Sequence, residues 1–320
     1  MGALPKSILY GQRSCSSVSP AGAGTRAATK DSMMLRRNLV SALLGGYVGA
    51  RAATQDRLSL FMAGTSGRAL LLDVRSRSLV ASHGIVGRLA APPGSTIKPF
   101  ALAALLEAGK MSSEERFLCP GVLRIAGRSF NCSHPRTNAP LRVREALAYS
   151  CNCFTAHFAE RFEPGELARY LMRAGLGSRT GLAGGEEASG QIRPAGSGEA
   201  SQLQALGEEG VLATAAGLAM AFRFLALSAG QPAMRAVVGG LEDAVEYGTA
   251  RAARTAGFQV AGKTGTARNG VGTQFAWFAG FAPSRAPEVV VAVALQGHSG
   301  GADAAPVAGR ILEWYHGGRL

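Results

Sequence analysis

The spacing of apolar and polar positions divides the chain into strand-like ends and a helix-like middle. Arg-Ala-Leu-Leu-Leu-Asp-Val from residue 68 and Ser-Leu-Val-Ala-Ser from residue 78 flank a polar Arg-Ser-Arg, which predicts two strands around a turn. Pro92-Pro93-Gly94 stops the chain. Ser95 then opens an apolar stretch through Leu106 that ends at Gly109, the pattern of a capped helix. Pro99 falls in its first turns, where a missing N–H costs little. Residues 141–160 and 163–175 predict helices with breaks at Ser150–Asn152 and Glu163–Gly165, and 209–229 predict an Ala-rich one. Strands return at Gly257–Gly262, Gln274–Ala282 and Glu288–Gln296. The last reads Val-Val-Val-Ala-Val-Ala-Leu, as in a strand buried on both faces. A helix is predicted from about Ala304 to His316. Strands at both ends around a helical middle predict an α/β (α+β) fold: one sheet built from both ends of the domain, flanked by helices, with an all-helical subdomain inserted.

Composition narrows the class. With 320 residues, 47% of them hydrophobic and only 17% charged, the chain can bury a core without staples and is not a disordered segment. The net charge of +13 raises the question of a polyanionic partner. Residues 1–52 hold Lys6, Arg13, Arg26, Lys30, Arg36, Arg37 and Arg51 against the single acid Asp31, and beyond them bases are scattered among acids. With 7% aromatics there is no stacking platform either, so no nucleic-acid partner is expected. Among 34 cations, the lysines are only Lys6, Lys30, Lys98, Lys110 and Lys263. Where arginine is the default, a lysine marks a place that needs a compact ammonium able to lose its proton.

The start of the chain reads as a leader. Residues 33–52 run from a basic Arg36-Arg37 pair through an apolar stretch, Leu39 to about Val48, to Ala50-x-Ala52, the order of a cleavable secretory signal that resembles a twin-arginine signal. The stretch is too short to span a bilayer. Residues 1–32 read as disordered or as a mis-assigned start, and 53–320 as the functional domain, exported to the periplasm or cell envelope. Export makes the cysteines ambiguous. Cys119 with Cys132 would close a disulfide loop, or remain apart. Cys119, Cys132 and His134 lack C-x-x-C spacing, so no metal or other cofactor is expected, and Cys151 and Cys153 read as small packing residues.

Three short motifs carry chemistry. Ser95-Thr96-Ile97-Lys98 places an ammonium beside a hydroxyl on one helical face, the arrangement in which lysine serves a serine nucleophile as base. Lys263-Thr264-Gly265-Thr266 follows a predicted strand and supplies a cation and hydroxyls suited to a carboxylate, with glycine allowing close approach. Ser-x-Asn occurs at Ser129–Asn131 and Ser150–Asn152; the second is preferred because it lies in a break between helices. Ordered S-x-x-K, S-x-N and K-T-G resemble the penicillin-recognising serine acyl-transferases. Pro93–Phe100, Phe117–Gly121, Ala148–Asn152, Gly262–Ala267 and Ala276–Pro283 are similar to the transpeptidase domain of class B penicillin-binding proteins, a likeness extending over most of 65–316.

That resemblance implies a β-lactamase/transpeptidase-like fold and a peptidoglycan D,D-transpeptidase or D,D-carboxypeptidase acting on D-Ala-D-Ala stem peptides and acylated by β-lactam antibiotics. It implies Ser95 as nucleophile, Lys98 as base, Ser150 as proton relay and Asn152 as holder of the acyl-side amide. Lys263 and Thr264 bind the terminal carboxylate beside Gly265 and Thr266, and the N–H groups of Ser95 and Thr266 form the oxyanion hole. A membrane-bound cell-wall synthesis partner is a further expectation. The membrane anchor and pedestal domain of full class B proteins are not expected here, and Gly207–Ala215 departs from the family's usual pattern.

Rival expectations are a serine β-lactamase, a β-lactam sensor domain and a non-catalytic wall-binding protein. Class A β-lactamases have Asp where Cys151 stands, and the loop-like Glu163-Pro164-Gly165-Glu166-Leu167 lies close enough to Asn152 to read as a helix start. Class D enzymes and sensors depend on a carboxylated lysine, here Lys98, in an apolar pocket.

Overall fold

The computed structural model describes residues 57–318 apart from 89, 137, 184–186 and 197. The leader predicted over 1–52 lies outside them. Five antiparallel strands form the central sheet in the order β2-β1-β9-β8-β7: β1 Arg68–Asp73, β2 Leu79–His83, β7 Ala261–Arg268, β8 Gln274–Ala282 and β9 Val289–Gln296. The first two strands and the last three thus meet in one sheet, with Arg68 opposite Ala294 and Asp73 opposite Val289.

Strand alternation splits this sheet between two cores. Leu70, Leu72, Trp277, Phe281, Val290 and Ala292 face a large helical core, while Leu71, Phe278, Val289, Val291 and Val293 face a second one. The second core is closed by helical residues 57–61 (α1), which contribute Leu58, and by α9 (Ala305–Gly317), which contributes Ile311 and Leu312. The unbroken valine run of β9 is explained by this burial on both faces.

The helical middle contains α2 (Lys98–Glu107), α3 (Val143–Ala148), α4 (Asn152–Ala159), α5 (Glu166–Arg173), α6 (Glu199–Leu206), α7 (Ala215–Ser228) and α8 (Arg235–Glu246). Two small hairpins join it: β3 (Arg124–Ile125) with β4 (Arg128–Ser129), and β5 (Gln191–Ile192) with β6 (Val211–Leu212). α8 was not apparent in the sequence pattern, and the apolar stretch from 209 begins as strand β6 before Thr214 caps α7 by accepting the Gly217 N–H.

Two local differences matter for the site. Gly94–Ile97 forms a 3-10 turn that runs into α2, so Ser95 lies inside a turn and is not a helix cap. The strand predicted at Gly257–Gly262 is Ala261–Arg268 instead: Lys263-Thr264-Gly265-Thr266 lies within the edge strand, paired with β8, and does not follow it.

Candidate active site

The 3-10 turn, the break between α3 and α4, and the edge strand β7 converge on a cavity of about 320 Å³. Ser95, Ser150, Asn152, Thr264, Gly265 and Thr266 line it together with Ser133, Thr249, Ser299 and Gly301. The second Ser-x-Asn is therefore the one that enters the cavity, while Ser129 lies in β4 and Asn131 turns its Oδ1 to the Leu123 N–H.

Glycines bring the first and third elements into backbone contact. Gly94 has φ +55°, and a Cβ there would lie 2.7 Å from Thr266 O. A Cβ on Gly265 would lie 2.3 Å from Pro93 O, and one on Gly207 2.1 Å from Gly94 O. Trp277 Nε1 donates to Pro92 O at 3.0 Å, and Gly94 N donates to Gly207 O at 3.1 Å, which fixes the turn between β8 and the loop after α6.

In a 3-10 turn residues i and i+3 eclipse, which places Lys98 on the Ser95 side. Lys98 is fully buried. Its ammonium donates to Ser150 O at 2.6 Å, to Ser150 Oγ at 3.2 Å and to Asn152 Oδ1. Burial lowers its pKa to about 8, against smaller raising effects from Cys151, Cys132 and Glu208. Ser150 itself has φ +55°, a left-handed conformation uncommon outside glycine. The turn that imposes this conformation aims both its backbone carbonyl and its hydroxyl at the lysine. Asn152 also donates through Nδ2 to Phe130 O at 2.9 Å, tying the turn to the segment after β4.

Lys263 is likewise buried, donating to Thr264 O at 3.1 Å. Burial, and then the charge on Lys98, push it well below the usual lysine range. Thr264 Oγ1 donates to Thr249 Oγ1 at 3.1 Å, and Thr266 Oγ1 accepts the Gly300 N–H at 3.0 Å. Thr249 and Ser299 carry no motif by which the sequence could have marked them. Glu208, in the segment that departs from the family pattern, is raised by burial and is electrostatically coupled to Lys98.

Two groups bear on the rival readings. Glu166 begins α5 and accepts from Lys110 Nζ at 2.6 Å, apart from the residues lining the cavity. The Lys98 amine meets hydroxyl, carbonyl and amide oxygens, whereas a carboxylated lysine requires an apolar pocket.

Four cysteines lie beside this site. Cys119, Cys132, Cys151 and Cys153 are free thiols, so the Cys119–Cys132 disulfide is not formed. Cys151 and Cys153 are buried as expected of packing residues, yet their sulfurs join the other two in one cluster.

Residues 89–313 match the family model of the penicillin binding protein transpeptidase domain. Among curated proteins, the chain is 30% identical over 258 residues to the probable peptidoglycan D,D-transpeptidase PenA of Neisseria gonorrhoeae, covering 69% of this chain and 43% of that protein. It is 27% identical over 265 residues to the stage V sporulation protein D of Bacillus subtilis, covering 69% and 41%. The chain thus spans about two-fifths of the length of these relatives. In fold it is similar to Pseudomonas aeruginosa PBP2 in complex with WCK 5153 (TM-score 0.74, 22% identity, 82% of this chain and 77% of that one). The transpeptidase domain of Burkholderia pseudomallei penicillin-binding protein 3 is similar too (TM-score 0.73, 23% identity, 86% and 95%).

Proposed function

The chain belongs to the penicillin binding protein transpeptidase domain family, and from that premise we propose that it is an exported peptidoglycan D,D-transpeptidase or D,D-carboxypeptidase working through an acyl-enzyme on Ser95. The observation that carries this reading is the buried Lys98 amine held on Ser150 and Asn152, two residues that line one cavity together with Ser95 and Thr264–Thr266. Ser95 Oγ attacks the carbonyl of the penultimate D-Ala of a stem peptide as its proton passes to Lys98. Ser150, bridged to Lys98, returns a proton to the departing D-Ala amine. The Ser95 and Thr266 N–H groups receive the oxyanion, and their fixed approach through Gly94 and Gly265 is the preorganisation such a site requires. Asn152 holds the acyl-side amide, while Lys263 and Thr264 meet the terminal carboxylate. An amine or water then takes the acyl group from Ser95. A β-lactam enters the same path and stops at the acyl-enzyme.

Residues 33–52 would direct export and 53–320 would form the catalytic domain, recruited by a membrane-bound synthesis partner. No described helix is long and apolar enough to cross a membrane. The engagement of Glu166 with Lys110 counts against a class A β-lactamase, whose deacylating carboxylate that loop would have to supply.

Intact-mass analysis after addition of benzylpenicillin tests the assignment. A covalent adduct lasting minutes to hours, absent in a folded Ser95→Ala variant, is the expected result. An adduct gone within seconds with hydrolysed drug would make the protein a β-lactamase, and undiminished labelling of the variant would overturn Ser95 as nucleophile.

A further inference from the structure

Among the described residues outside the reacting groups, the cysteines behind the Ser150 turn form a dense cluster of nucleophilic side chains. The Sγ separations are 3.6 Å for Cys119–Cys132, 3.7 Å for Cys132–Cys151 and 3.4 Å for Cys119–Cys151. Three thiolates held at about 2.3 Å from one zinc ion stand roughly 3.8 Å apart, the edge of a tetrahedron, so the observed triangle needs only tenths of an ångström of expansion. A fourth donor is at hand: the ligand atoms of Cys119, Cys132, His134 and Cys151 all lie within 4.8 Å of one another.

The histidine is prepared for that role. His134 Nδ1 lies 2.8 Å from Pro135 O, which places the ring proton on Nδ1 and leaves the lone pair on Nε2. Nε2 is buried and has no hydrogen-bond partner, a costly state for a polar atom. Two of the sulfurs already have the outer hydrogen bonds that steady a thiolate: Gly121 N–H to Cys119 at 3.3 Å, in the turn made by Pro120-Gly121, and Phe154 N–H to Cys151 at 3.4 Å, at the start of α4. Cys153 stands 3.5 Å from Cys132 and 3.6 Å from Val122 O, and does not belong to the group of four ligand atoms.

We propose that Cys119, Cys132, Cys151 and Nε2 of His134 bind one zinc ion in a closed tetrahedral site. Three thiolates and an imidazole select zinc over calcium or magnesium, which take oxygen donors. Binding releases one proton to solvent from each thiol and requires no oxidant. The ion would fasten the segment that carries β3 and β4 to the turn on which Cys151 separates Ser150 from Asn152. Its role is structural, holding in place the acceptors that meet Lys98. Asn152 Nδ2 on Phe130 O already marks the same junction.

The experiment is a metal count on the full chain purified in zinc-supplemented medium, followed by replacement with cobalt. The expected result is about one zinc per chain, and a cobalt form with thiolate charge-transfer absorption and the intense visible bands of tetrahedral coordination. Cys132→Ser and His134→Ala should weaken zinc binding by more than the roughly 10- to 100-fold typical of losing an outer partner, whereas Cys153→Ser should retain it. The metal count on the unmodified chain stands even where a variant fails to fold. Absence of stoichiometric zinc, an octahedral cobalt spectrum, or a Cys119–Cys132 disulfide found by mass under denaturing, non-reducing conditions would each overturn the site. Loss of zinc in Cys153→Ser with retention in His134→Ala would overturn the donor set. These readouts involve no β-lactam, so their failure is separate from any failure of the acylation assay.

Discussion

At the scale of single residues, the chemistry turns on the protonation of Lys98. An ammonium has three protons, and three oxygens receive them here, so the amine becomes a base only once one proton has left. Burial disfavours the charged form and brings its pKa from 10.5 down to about 8. The sign follows: below that value Lys98 is held as the cation and cannot take the Ser95 proton. The second-order rate of acylation by benzylpenicillin should therefore climb with pH and level off above about 8. A profile flat from pH 6 to 9 would remove Lys98 from the role of base. Lys98→Arg keeps the charge but stays protonated throughout, and should lose the ~10²–10⁴-fold that a general base contributes, measured as the acylation rate of the folded variant. Glu208 supplies an independent check on the same group. Its charge raises the Lys98 pKa, so Glu208→Gln should move the profile toward lower pH.

At the scale of elements, the site depends on a 3-10 turn and an edge strand brought within backbone contact. Gly265 has no room for a methyl group, since its Cβ would fall 2.3 Å from Pro93 O and 2.8 Å from Thr96 Cγ2. Backbone cannot swing aside as a flexible side chain does. Gly265→Ala should therefore push β7 away from the turn, costing about 1–3 kcal/mol of stability and most of the acylation rate. Thermal unfolding together with labelling of the remaining folded protein would check both, and full activity at unchanged stability would refute the packing argument. The three motifs themselves were legible in the sequence because each needs a fixed spacing of reactive side chains. Their exact setting was not. Whether Ser95 caps a helix or sits within a 3-10 turn depends on Gly94 meeting Gly207 and Thr266, residues more than 100 positions away. K-T-G read as following a strand because glycine and lysine are poor strand formers, yet pairing of Lys263 with Ala279 and of Gly265 with Trp277 carries them within β7. The cysteine cluster was not legible for a similar reason: spacing along the chain says little about four sulfurs gathered from a loop, the segment after a hairpin and a helix start.

At the scale of the whole molecule, the sheet is what allows distant motifs to share one cavity. Its general form was readable from strand-like ends around a helical middle, because a doubly buried strand such as β9 leaves an unmistakable apolar run. α8 escaped notice because Gly239 and Gly240 interrupt its apolar pattern. The reason for them lies elsewhere in the fold: a Cβ on Gly240 would lie 2.8 Å from Leu147 Cβ, in α3. Both cores draw on strands β1, β2, β8 and β9, so neither should melt alone. Phe278 is fully buried in the core under α9, opposite Thr264 in register, with its ring beneath Gly262. Phe222 is equally buried in the helical core, edge-on to Phe100 with ring centroids 5.5 Å apart. Each replaced by Ala should cost about 3–5 kcal/mol, seen as an earlier midpoint of one cooperative denaturant transition. The pair should add to within ~0.5 kcal/mol if the sites are independent. Only Phe278→Ala opens a void under the K-T-G strand, so only that variant, among molecules still folded, should also acylate slowly. Two separate transitions, one for each core, would show that the sheet does not couple them and that the cavity's geometry is held by the helical side alone.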